Sequence, residues 1–148
     1  MIRIIGDPVA QGSMIAMISR STGRAIAVPS NKPGLKAWRS AIKSAAGGLE
    51  MVPAGVPVKV TCVFLLRRPV KVPPERMGQP STYPDADKLA RAAGDALTGV
   101  AYVDDGQVVE WHVTKRYCAP SELPGAQIWV ERVVDPAAVQ PSLLSDIA

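Results

Sequence analysis

Apolar residues along this chain repeat with two periods, one of two residues and one near 3.6, and the blocks follow one another in a readable order. The clearest two-residue period covers residues 58–67. There Val58, Val60, Cys62, Phe64 and Leu66 share one face, and Val63 and Leu65 partly fill the other. A strand apolar on both faces belongs in the interior of a sheet. Residues 1–5 read as a short strand. Residues 13–19 and 25–28 flank Thr22-Gly23 as a hairpin, with Arg20 and Arg24 at its tip. Two further alternating stretches, 107–117 and 127–134, are separated by the turn residues Pro120 and Gly125.

The helical period occurs twice. Over residues 33–46, Leu35, Trp38, Ile42 and Ala45 form an apolar stripe beside Lys36, Arg39 and Lys43, and Gly47-Gly48 ends the pattern. Over residues 87–97, Leu89, Ala90, Ala92, Ala93, Ala96 and Leu97 fall on one arc, with Asp87, Lys88, Arg91 and Asp95 opposite and Gly99 placed to stop the helix. Between the interior strand and this second helix stand Pro69, Pro73, Pro74, Pro80 and Pro84, which exclude a helix or an inner strand. The order predicts an α+β fold: one domain over residues 1–134, with one mixed β-sheet and two main helices packed on it. Residues 135–148, rich in Ala, Pro and Ser, read as a frayed tail.

Charge adds a polarity to this outline. Residues 1–60 hold eight Lys/Arg against two acids (+6), residues 61–100 six against four (+2), and residues 101–148 three against seven (−4). A basic first half implies a face that attracts a polyanion, or a plain solvated basic surface. Cys62 and Cys118 are too few for a disulfide framework or a zinc site, and Cys62 reads as a small core residue. The N-terminal apolar stretch is interrupted by Arg3 and Asp7, and the longest apolar run ends at Leu66, far short of a membrane span. The expectation is a cytoplasmic protein with no membrane partner. Neither a Gly-x-Gly-x-x-Gly turn nor a phosphate-binding P-loop occurs, so no nucleotide cofactor is expected. Triad catalysis would rest on the single His112, which lies mid-strand.

The acids are the candidate chemistry. In Tyr83-Pro84-Asp85-Ala86-Asp87-Lys88 an Asp-x-Asp pair in extended backbone directs both carboxylates to one side. Asp87 is also a suitable helix cap, which explains one acid and leaves Asp85 unexplained. Asp95 and Arg91 would make a solvated pair on the helix. Asp104-Asp105-Gly106 precedes the next strand, and an Asp-Gly step is ordinary turn chemistry for one of the two acids. Two acidic clusters at element ends could also converge above the sheet. Mg²⁺ takes one or two carboxylates together with water and phosphate oxygens, and such ions promote phosphodiester hydrolysis.

Pro84-Asp85-Ala86-Asp87, Asp95-Ala96-Leu97-Thr98-Gly99, Asp104-Asp105-Gly106-Gln107-Val108-Val109 and Lys115, in this order, resemble the RusA family of Holliday-junction resolvases of bacteria and their phages. The ordered set covers residues 84–115. Gly6-Asp7-Pro8 and Gln11-Gly12 are similar, more loosely, to the family's opening. The resemblance implies a homodimeric endonuclease that uses Mg²⁺, with Mn²⁺ as a substitute, to place paired nicks in four-way DNA junctions. The implied metal-binding acids are Asp85, Asp87 and Asp105. The family places a lysine where this chain has Arg91, and commonly an Asn where it has Lys88. Either cation is then the helper that stabilises charge on phosphate, and the two are not equivalent there. Arg20, Arg24, Lys32, Lys36, Arg39, Lys43, Lys88 and Lys115 are the candidates for DNA contacts. Two alternatives remain: a non-catalytic DNA-binding dimer, which needs no clustered acids, and a metal-dependent nuclease acting on flaps or other branched DNA.

Overall fold

The computed structural model describes residues 1–29, 33–73, 75 and 78–135. The elements follow the order β1 (Ile2–Ile5), β2 (Met14–Ile18), β3 (Ala25–Pro29), α1 (Leu35–Ala46), β4 (Val58–Leu66), α2 (Ala86–Leu97), β5 (Val108–Tyr117) and β6 (Gly125–Arg132). A single 3-10 turn, Asp105–Gln107, leads into β5. The expected tail from residue 136 onward, and Lys32, lie outside the described residues.

Four strands form a mixed sheet in the order β1-β6-β4-β5. The strand β4 is interior, as its two-faced apolar pattern requires, pairing antiparallel with β6 and parallel with β5. The expected hairpin forms, with Ile15 opposite Val28 and Met17 opposite Ile26, but as a separate two-stranded sheet rather than part of a single one. Its composition gives the reason. Met14-Ile15-Ala16-Met17-Ile18 has no apolar–polar alternation to direct one face into the core, and every residue of β2 is exposed.

Both helices lie on one face of the four-stranded sheet, α1 toward β1 and α2 toward β5, and they touch each other. Val58, Val60, Cys62 and Phe64 from β4 meet Trp38 and Ile42 from α1 and Leu89, Ala92, Ala93 and Ala96 from α2 in one core. The small residues of α2 let its backbone come close to the sheet. Burial pushes the Cys62 thiol up to about 12, so it is an uncharged packing residue. Cys118 is also buried and free.

The junction of β1 and β6 leaves no room for a side chain at Gly125. A Cβ there would stand 1.9 Å from the Ile4 carbonyl oxygen. Gly125→Ala is therefore expected to push β1 off β6 and cost about 2–3 kcal/mol, the usual scale of overpacking. A thermal melt should fall by roughly 5–10 °C; an unchanged melt would mean that the β1–β6 edge contributes little.

Candidate active site and basic cleft

The loop from β4 ends at Asp85, which occupies the cap position of α2 but makes no side-chain capping bond. Its carboxylate instead meets Lys88 Nζ at 3.1 Å. Asp87 lies one residue inside the helix and is exposed, so the capping role expected for it belongs by position to Asp85. The approach is fixed from the sheet: Lys115 on β5 donates from Nζ to the Thr82 carbonyl at 2.6 Å and the Pro84 carbonyl at 2.8 Å. Those bonds use two of its three donors.

The second acidic pair divides its labour. The Asp104 carboxylate accepts from Gly106 N at 2.8 Å, and Gln107 Oε1 accepts from Asp104 N at 2.9 Å, a reciprocal capping box. The bond from Gly106 N, then a side-chain bond with Asp105, hold the Asp104 carboxyl below the usual range. Gln107 is buried and uses both ends of its amide. Its Oε1 also accepts from Val103 N at 2.9 Å, and its Nε2 donates to the carbonyls of Pro53 at 2.7 Å and Val56 at 3.0 Å. Asp104 and Gln107 thus fix the turn, and Asp105 is left exposed on its outer side.

Asp87 and Asp105 line one cleft of about 530 Å³ between α2 and β5, together with Arg91, Asp95 and Trp111. Asp85 does not line it. Among the described residues no three His, Cys, Asp or Glu side chains stand close enough together to hold a metal ion. Asp95 pairs with Arg39 at 2.7 Å, not with Arg91 as helical spacing suggests, and Arg39 also donates to Gln11 Oε1 at 2.7 Å. The Arg39–Asp95 pair is over a third exposed and worth at most about 1 kcal/mol. Its effect is to tie α1 to α2. Among the described residues Asp87 and Asp105 have no basic partner, and Arg91 has no acidic one.

Asp95 is shared with a second cleft, of about 850 Å³, along α1, lined by Lys36, Arg39, Ser40 and Lys43. The basic stripe of α1 therefore leads to the acidic cleft. Arg20 and Arg24 are exposed at the hairpin turn. His112 is exposed on β5 and contacts Glu110.

The sequence reading gave no structural or site role to Gln107, quoted only within the family motif, or to Trp111. For Gln107 the signal was present, because Asp-x-x-Gln is a capping-box pattern. For Trp111, alternation along β5 gives a face but not the helix it faces. A mid-helix glycine, Gly94, lies against it; a Cβ on Gly94 would come within 3.3 Å of the Trp111 ring.

The sequence model of the family described as "Endodeoxyribonuclease RusA" matches residues 7–131. The chain is also 38% identical over 55 residues to "Uncharacterized protein YqaN" of Bacillus subtilis (strain 168), a match spanning 37% of each chain. The family match covers every described residue of both clefts.

The Gln107 clamp has a direct test. Gln107→Leu leaves two N–H groups and two carbonyls without their partner and should cost roughly 2–4 kcal/mol. Urea unfolding should report that loss at an unchanged m-value; a variant as stable as the parent would show that water replaces the amide.

Proposed function

The chain belongs to the RusA endodeoxyribonuclease family, and from that membership we propose that it is a Mg²⁺-dependent endonuclease that resolves four-way DNA junctions by paired nicking. The observation that carries the reading is the shared cleft: two carboxylates without basic partners and one unpaired guanidinium, Asp87, Asp105 and Arg91, beside a basic groove. Carboxylates facing DNA repel it, so their position next to the basic groove suits a bound cation.

The donor set fits a hard divalent ion. Two carboxylates with water and phosphate oxygens are a usual Mg²⁺ environment, and softer nitrogen or sulfur ligands do not line the cleft. Asp87 and Asp105 are the residues that would hold it, with Asp85 at the helix start as the third acid the family resemblance implies. A bound Mg²⁺ would supply a Lewis acid for the phosphoryl oxygen and lower the pKa of a ligand water. The chain's own contribution is position and charge. Lys36, Arg39 and Lys43 hold phosphates of one strand along α1 without reading bases. Arg91 stabilises negative charge developing on the phosphate, with Lys88 one turn away as the second cation. Lys115 holds the loop that delivers Asp85 and Asp87.

A homodimer suits a substrate of near two-fold symmetry, because each copy addresses one strand. We place the contact on the hairpin, where Ile15, Met17 and Ile26 share one face and are each about half exposed. A two-stranded hairpin is marginal alone and gains stability when a second copy covers it. Met17→Glu should convert a dimer to a monomer in sedimentation velocity while leaving the melt of the core nearly unchanged. A Met17→Glu protein that stays dimeric would place the contact elsewhere.

Asp87→Asn and Asp105→Asn test the site itself. Each keeps the side chain's size and removes the anion, so nicking of a four-way junction should fall at least about a hundredfold. Junction binding in Ca²⁺-free, Mg²⁺-free buffer should persist or tighten, because a charge facing the phosphates is gone. Near-normal nicking by both variants would remove the metal site from the cleft.

A further inference from the structure

Trp111 is 39% exposed, and it is the aromatic residue that lines the acidic cleft. It projects from β5 on the side facing α2, where Val113 follows it two residues later. Its six-membered ring lies against α2 at Gly94: a Cβ built there would stand 3.3 Å from both Cζ2 and Cη2. Gly94 is in a helix interior, where glycine is otherwise unfavourable, so the position gives up helix stability for a notch that seats the indole. A ring wedged at one end and open on the other is a rigid apolar surface beside two carboxylates and a guanidinium.

We propose that Trp111 is a stacking platform for the nucleobase next to the scissile phosphate, a positioning residue that holds an unstacked nucleotide in the cleft. This rests on the reading of the cleft as the nuclease site. A phosphate drawn to Arg91 in this cleft brings its base alongside the indole, which offers the π-face. Stacking of this kind tolerates any base, because each has an aromatic face. It therefore contributes selectivity for nucleotides that can leave their helix, such as those at a branch point, rather than for a sequence.

The test compares junctions that are natural or carry a single abasic nucleotide on either side of the nick, cut by the parent protein, Trp111→Ala and Trp111→Phe. The parent should lose about tenfold to a hundredfold in nicking rate on one abasic junction. Trp111→Ala should lose a similar factor on the natural junction and no more on the abasic one, and Trp111→Phe should recover most of the rate. Thermal melts of both variants separate folding from stacking. Equal cutting of natural and abasic junctions by the parent, or losses that simply multiply in Trp111→Ala, would overturn the proposal. Should the parent bind junctions without nicking them, the nuclease reading fails separately. The emission of Trp111, taken as the difference between the parent and Trp111→Phe, then decides the stacking: quenching on DNA binding supports it and unchanged emission overturns it. Absence of any DNA binding overturns both.

Discussion

The parallel pairing of β4 with β5 is the constraint on which the rest of this structure depends. A parallel neighbour cannot be reached through a tight turn, so the chain must cross back over the sheet, and it does so through α2. That crossover lays α2 alongside β5 and creates the cleft between them. The start of the helix supplies Asp87, and the entry to β5 supplies Asp105. The two acids are eighteen residues apart in sequence (105 − 87) and share a cleft because of the topology.

Two polar anchors turn this topology into a site. Gln107, buried and bonded at both ends of its amide, ties the turn before β5 to the carbonyls of Pro53 and Val56. Lys115 ties the loop before α2 to β5. Both ends of the crossover are therefore held by side chains bonded to backbone groups, and the carboxylates of Asp87 and Asp105 are left exposed. The Arg39–Asp95 contact brings α1 into the same arrangement and joins the basic groove to the acidic cleft. Electrostatically, a groove lined by Lys36, Arg39 and Lys43 adjoins a cleft lined by Asp87, Asp95 and Asp105.

Most elements were legible in the sequence because their apolar periods are long and clean. The interior position of β4 followed from apolar residues on both its faces, and both helices begin and end within two residues of their patterns. The separate sheet of β2 and β3 was not legible, because a pattern of adjacent apolar residues predicts a strand without saying that nothing in the same chain covers it. The candidate acids were found from spacing and resemblance. Their allocation needed three dimensions: Asp104 to the turn, Asp85 to Lys88, Asp95 to Arg39, and Asp87 and Asp105 to the cleft. Helical spacing pointed to an Arg91–Asp95 pair, but a guanidinium from the neighbouring helix took the partner, a tertiary contact that no local rule anticipates. The seat of Trp111 on Gly94 is of the same kind, since its two halves lie on different elements.

The most direct test of the account is cleavage of a synthetic four-way junction beside a linear duplex and a flap of the same sequence, each with Mg²⁺ and with chelator. The account predicts symmetric paired nicks in the junction that require Mg²⁺, with the duplex left intact. Binding of the junction without cleavage at any Mg²⁺ concentration, or cutting that persists in chelator, would contradict it.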